Sequence, residues 1–149
     1  MQPKKIVFVV DDDQPTVELI CEVLKDEGYQ IRAFQDATSA LAATEAAPPD
    51  VMLLDLRMPG VDGVDLFRVL AGRGLATMPI IFMTADSHAM QALIAEGVKF
   101  ILLKPFDLET LLNCLTEAIR SPDETREQGI PVPAQGDLGN RTDDVHICT

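Results

Sequence analysis

Five short runs dominated by apolar residues, at 5–10, 30–34, 51–54, 78–83 and 98–103, punctuate the first 120 residues. Lys5-Ile6-Val7-Phe8-Val9-Val10 is mostly β-branched, and such a run favours a strand buried on both faces. Between the runs the period changes. Val17, Ile20, Cys21 and Leu24 recur at helical spacing. So do Ala37, Ala40 and Leu41, then Val64, Phe67 and Leu70, then Ala89, Ala92 and Leu93. Leu108, Leu111, Leu112, Leu115 and Ile119 form the clearest amphipathic stripe of all. Boundary residues agree with this division. Pro15 suits a first helical turn, Asp36 and Ser87 suit N-caps, and Gly28 and Gly97 suit helix stops.

A βα unit repeated five times predicts an α/β fold. Its parallel sheet would carry helices on both faces, joined by right-handed crossovers. The arrangement expected is a flavodoxin-like, doubly wound (βα)5 sheet in the order 2-1-3-4-5, with a switch point between strands 1 and 3. From Ser121 neither period survives, and Pro, Gly and charged residues alternate. The expected organisation is one domain over 1–120 and a Pro/Gly/acidic tail or linker, flexible, over 121–149.

Composition narrows the function classes. Twelve basic against 24 acidic residues give a formal charge of −12, which disfavours direct nucleic-acid binding by this chain, since phosphates need basic partners. The apolar runs are too short to span a bilayer and no secretory pattern is present, so no membrane association and a cytoplasmic location are expected. Cys21, Cys114 and Cys148 are scattered without zinc-type spacing. Cys21 and Cys114 fall on apolar helix faces and suit small core positions.

The chemistry lies at the strand ends. Strands 1, 3, 4 and 5 finish on Asp11-Asp12, Asp55, Thr84 and Lys104. In a parallel sheet these ends share one edge, the edge where open α/β sheets bind ligands. Several carboxylates gathered there repel one another unless a cation joins them. The guest that fits is Mg²⁺ or the similar Mn²⁺, a hard ion with oxygen ligands that often bridges to phosphate. A carboxylate at Asp55 can attack phosphorus to form an acyl phosphate. Lys104 and Thr84 can hold the other phosphoryl oxygens.

The segments Val9-Val10-Asp11-Asp12-Asp13, Leu54-Asp55-Leu56-Arg57-Met58-Pro59-Gly60-Val61-Asp62-Gly63, Met83-Thr84-Ala85 and Lys104-Pro105-Phe106 resemble the receiver domain of two-component response regulators, the chemotaxis response regulator among them. The resemblance covers residues 4 to about 120. It implies a phosphoryl switch in which Asp55 takes phosphate from a histidine kinase in a Mg²⁺-dependent step. Asp12 and Asp55 would ligate the metal with the backbone carbonyl of Arg57, and Asp11 would act mainly through a metal-bound water. Asp13 would be a helix cap. Thr84 would bond a phosphoryl oxygen and move inward on activation, Lys104 would pair with the phosphoryl group, and Lys104-Pro105 would be cis. The implied partners are a sensor histidine kinase or phosphotransfer protein and an output domain or downstream target bound through helix 4, strand 5 and helix 5. A homodimer is a further candidate assembly. Helix 1 and the Pro59 loop would dock the kinase. The protein would be a regulatory phosphoacceptor, with self-phosphorylation and autodephosphorylation its only chemistry.

Two features stand apart, one at Ile101 and one at Arg57 with Asp86. Ile101 occupies the place usually held by a switch aromatic, and Phe100, one residue earlier, would face the other way along a strand. Arg57 and Asp86, each two residues beyond a site residue, are expected to pair across the site mouth and slow phosphate loss. Two alternatives compete with the switch. One is a phosphorylation-independent scaffold with the same fold. The other is a Mg²⁺-dependent phosphatase of the haloacid-dehalogenase type, which Asp11-Asp12-Asp13 imitates weakly.

Overall fold

The computed structural model describes residues 4–58, 60–127 and 145–148, and side chains up to residue 120 and again over 145–148. Pro59, with its proposed part in kinase docking, and the tail over 128–144 lie outside the described residues.

The chain runs β1 (Ile6–Val10), α1 (Gln14–Asp26), β2 (Gln30–Phe34), α2 (Ala37–Ala46), β3 (Val51–Asp55), α3 (Gly63–Gly72), β4 (Ile80–Thr84), α4 (Ala89–Ala95), β5 (Phe100–Leu103), α5 (Leu108–Glu127) and β6 (His146–Cys148). The sheet order is β2-β1-β3-β4-β5-β6, and every pairing is parallel. The first five strands follow the order expected from the sequence, with a sixth strand added beside β5.

Period-two alternation splits the core in two. Phe8, Val10, Met52, Leu54, Phe82 and Ile101 face α2, α3 and α4, where they meet Ala40, Leu66, Leu70 and Leu93. Val7, Val9, Leu53, Ile81, Met83 and Leu102 face α1 and α5, where they meet Ile20, Leu24, Leu111 and Leu115. β3 and β4 are buried at every position, which explains why they read as unbroken apolar runs. Burying each of these large side chains contributes roughly 1.5–3 kcal/mol.

The helices begin where short acidic side chains offer caps. Asp13, Asp36 and Asp62 accept from the backbone N–H groups of Thr16, Ser39 and Asp65, and Asp107 accepts from Thr110. These bonds satisfy amides that a helix leaves unpaired at its start. The fourth helix departs from expectation, because Ser87 is not its cap. The Asp86 carboxylate instead accepts from His88 N–H at 2.9 Å, and α4 starts at Ala89 after His88, which makes no side-chain cap bond. Asp86 sits one residue nearer the strand end, where its side chain reaches the turn amide first.

The last helix also differs. Its helical stripe predicts an end near residue 120, yet α5 continues to Glu127. Beyond it, β6 pairs Phe100 with His146, Ile101 with Ile147 and Leu102 with Cys148. A three-residue strand carries too little periodicity to be found in sequence.

Candidate functional site

The sheet's C-terminal edge forms an open cavity of about 600 Å³, lined by Asp11, Asp12, Asp13, Thr16, Asp55, Arg57, Thr84, Ala85, Asp86 and Lys104. Backbone bonds fix its walls. Asp11 N–H donates to the Phe34 carbonyl at 3.0 Å, tying the end of β1 to β2. Leu56 N–H donates to the Met83 carbonyl at 3.0 Å, which holds Asp55 against β4. Lys104 N–H donates to the Thr84 carbonyl at 2.7 Å, so the hydroxyl and the ammonium come from adjoining strand ends. The Lys104-Pro105 peptide is cis, as the resemblance implies.

Lys104 is the central cation. Its Nζ lies 2.9 Å from Asp11 Oδ2 and 3.1 Å from Asp55 Oδ1. Burial alone would lower its pKa, but the hydrogen bonds and charges of Asp11 and Asp55 outweigh burial and hold it above the ordinary lysine value. Asp55 moves up to about 6. Desolvation is the main cause, opposed by Lys104 and reinforced by the negative charges of Asp11 and Asp12.

Carboxylate oxygens of Asp11, Asp12 and Asp55 lie within 4.8 Å of one another. Asp11 and Asp55 are buried, and Asp12 is exposed. Three carboxylates against one ammonium leave excess negative charge in a partly desolvated pocket. The donor set, all hard oxygen, fits a divalent cation of the Mg²⁺ kind. Asp13 is turned to other work: its side chain accepts from both the hydroxyl and the N–H of Thr16, and the hydroxyl bond holds its carboxyl below the usual range.

Thr84 is 3% exposed, and its hydroxyl accepts from Asp86 N–H at 3.0 Å. Asp86 is held below the ordinary aspartate range chiefly by His88 N–H and further by Arg57. The expected pairing across the mouth is formed, with Arg57 Nη2 2.6 Å from Asp86 Oδ2. Arg57 is 75% exposed, so the pair adds little to stability. Ile101 is fully buried in the layer that includes Leu93 of α4, while Phe100 faces the other layer and stacks on His146 with ring centroids 5.0 Å apart. The turn capping by Asp86 escaped the sequence reading, although an Asp two residues before an amide is a recognisable Asx-turn signal.

Residues 7–116 match the profile of the response regulator receiver domain. The chain belongs to that family. It is similar to the DNA-binding response regulator MtrA of Mycobacterium tuberculosis, with 33% identity over 120 residues, covering 79% of this chain and 52% of MtrA. It is also similar to the DNA-binding transcriptional regulator NtrC of Proteus hauseri, with 36% identity over 139 residues, covering 92% of this chain and 28% of NtrC. The chain thus spans about half, or less, of these curated relatives. Among solved structures, the chemotaxis protein CheY4 of Vibrio cholerae aligns with a TM-score of 0.72 and 28% identity, covering 78% of this chain and 99% of CheY4. NtrX of Brucella abortus aligns at 0.75 with 26% identity, covering 85% of this chain and 29% of NtrX. A receiver domain is a phosphoryl-accepting signalling module of two-component systems, and response regulators work with histidine kinases and output domains. Among the described residues no helix is long and apolar enough to cross a membrane.

Proposed function

We propose that Asp55 is the phosphoacceptor of this receiver domain, a unit expected over 1–120 to which the end of α5 and β6 add. The observation that carries this is the placement of the Asp55 carboxylate, 7% exposed at the end of β3, with Lys104 Nζ 3.1 Å away and two further carboxylates beside it. An Asp55 oxygen attacks the phosphorus of a phosphohistidine. A P–O bond forms, the P–N bond breaks, and the imidazole leaves as the neutral base after taking a proton. Lys104 holds the phosphoryl charge as it moves from Asp55 to a phosphoryl oxygen. Thr84 supplies a hydroxyl to another phosphoryl oxygen once it releases the Asp86 amide.

Asp11, Asp12, Asp55 and the Arg57 carbonyl are the groups that would hold Mg²⁺ or Mn²⁺, which supplies positive charge against the transferred phosphoryl group. The donors are a sensor histidine kinase or a phosphotransfer protein. The phosphorylated form acts on an output domain or separate target through the α4–β5–α5 face, where β6 pairs with the edge of β5, by shifting a two-state equilibrium. Ile101, packed in the layer of α4, reports the Thr84 movement as a buried aliphatic group. A cytoplasmic location accords with this role.

The test is incubation with Mg²⁺ and acetyl phosphate, followed by intact mass measurement and peptide mapping. The expected result is one added phosphoryl group on the peptide containing Asp55, lost when Mg²⁺ is chelated beforehand. No adduct, or one mapped elsewhere, would overturn the assignment and favour a phosphorylation-independent scaffold.

The Arg57–Asp86 pair stands where water approaches the phosphorylated carboxylate. Arg57→Asn is expected to shorten the lifetime of the phosphorylated form several-fold, followed by phosphate release after removal of the donor. An unchanged lifetime would show that the pair does not obstruct water.

A further inference from the structure

β6 brings the end of the described chain back to α5. Its register sets Cys148 opposite Leu102 of β5. Leu102 faces the α1/α5 layer, and Cys148 packs against that same layer. Cys114 projects into the layer from α5 and is 1% exposed. Both sulfurs are free thiols. They also line one small cavity of about 240 Å³ with Thr110, Asn113, Glu117 and Ile147. Cys148 is half-buried, so a small reagent can reach it from solvent. Neither cysteine lies in the phosphoacceptor cavity.

We propose that Cys114 and Cys148 are a dithiol modification site for small organic disulfides, and that its product is a Cys114–Cys148 disulfide stapling β6 to α5 across the end of the sheet. Cys148 is the attacking sulfur. It is the more accessible of the two, and the influence of the Cys114 thiol lowers its pKa, whereas Cys148 and burial raise that of Cys114. The Cys148 thiolate attacks one sulfur of the reagent. The reagent's S–S bond breaks, one small thiolate departs and takes a proton, and a mixed disulfide remains on Cys148. Cys114 then loses its proton, attacks the Cys148 sulfur and expels the second small thiol. One reagent disulfide is reduced to two thiols while the two protein thiols are oxidised to one disulfide.

The remaining contacts of β6 keep the strand seated for the second step. His146 N–H donates to the Lys99 carbonyl at 2.7 Å, and the His146 ring stacks on Phe100. His146 Nδ1 lies 3.6 Å from Glu117 Oε2 on α5. Three elements therefore meet at this corner through non-covalent contacts, and the disulfide would add one covalent link between β6 and α5.

The experiment treats the fully reduced full chain with glutathione disulfide. Intact mass is measured without reductant, followed by tryptic mapping and amide hydrogen exchange. Cleavage after Lys99, Arg120 and Arg141 separates the two cysteines onto peptides 100–120 and 142–149, and Cys21 lies on a third. The expected product is a monomer lighter by two hydrogens, with peptide 100–120 joined to 142–149 and slower exchange over β6. Cys148→Ser is expected to abolish the linkage and Cys21→Ser to leave it intact. Cys114→Ser is expected to stop at a glutathione adduct on Cys148. Because Cys114 is a core residue, Cys148→Ser is the deciding variant if Cys114→Ser fails to fold. A stable glutathione adduct on the wild-type chain would overturn the proposal, as would an intermolecular link or a link through Cys21.

Discussion

Asp55→Asn is expected to take up no phosphoryl group from acetyl phosphate and Mg²⁺ under conditions where the wild-type chain gains one. Removing a covalent nucleophile costs on the order of 10³-fold or more, which intact mass spectrometry reads as absence of the adduct. The substitution is a narrow one. The amide keeps an oxygen that can accept from Lys104 at the position where Asp55 Oδ1 now lies 3.1 Å away, so the crevice keeps its shape. What disappears is the anionic oxygen. The same variant is expected to be more stable than the wild type when Mg²⁺ is absent. Asp55 titrates near 6 in the folded chain against 3.8 ordinarily, so folding holds its proton more tightly than unfolding does. Its contribution to stability is therefore present below about pH 4 and is lost as pH rises through about 6. Asparagine has no such loss. The thermal midpoint of Asp55→Asn should exceed that of the wild type by more at pH 8 than at pH 4. Equal differences at both pH values would show that crowding of negative charge does not penalise the metal-free site.

Gly63→Ala is expected to be the most damaging single-methyl change at the site. Gly63 begins α3, its N–H donates to the Leu56 carbonyl at 2.9 Å, and a Cβ built there would collide with the carbonyl oxygen of Asp55. That Cβ would also stand 3.1 Å from Leu56 Cα and 3.2 Å from the Asp55 carbonyl carbon. All three are backbone atoms, which cannot swing aside. Overpacking of this kind costs about 1–3 kcal/mol, and more where backbone must shift. Here the shifted backbone is that of Asp55 itself. Urea denaturation should report the lost stability, and the folded fraction should accept phosphate more slowly. Gly72, also in α3, has open space where its Cβ would go. Gly72→Ala should therefore be neutral or stabilising by up to about 1 kcal/mol. Equal effects at the two glycines would refute the close approach at Gly63.

The first five strands and five helices were legible because the chain separates its two periods cleanly. Strands buried on both faces, such as 51–54, appear as unbroken apolar runs, and helices such as α5 carry one stripe. The candidate site was legible for the same reason, since parallel topology alone sends Asp11, Asp55, Thr84 and Lys104 to one edge. What sequence did not disclose depends on short-range competition or long-range return. Asp86 takes the turn that Ser87 was expected to cap because its carboxylate reaches His88 N–H. The pairing of β6 with β5 joins residues more than 40 positions apart through only three register pairs, too few to leave a pattern. The partnership of Cys114 with Cys148 follows from that register and was hidden with it.

The presence of β6 also alters what the sheet offers to other chains. A strand at the border of a sheet exposes amides and carbonyls that can recruit a foreign strand. β5, buried at three of its four positions, would otherwise be an apolar template of that kind. With β6 in place, the open border is a three-residue segment with two exposed side chains. Unseating those residues would uncover the longer, greasier border of β5, and self-association through strand addition would be the physical consequence.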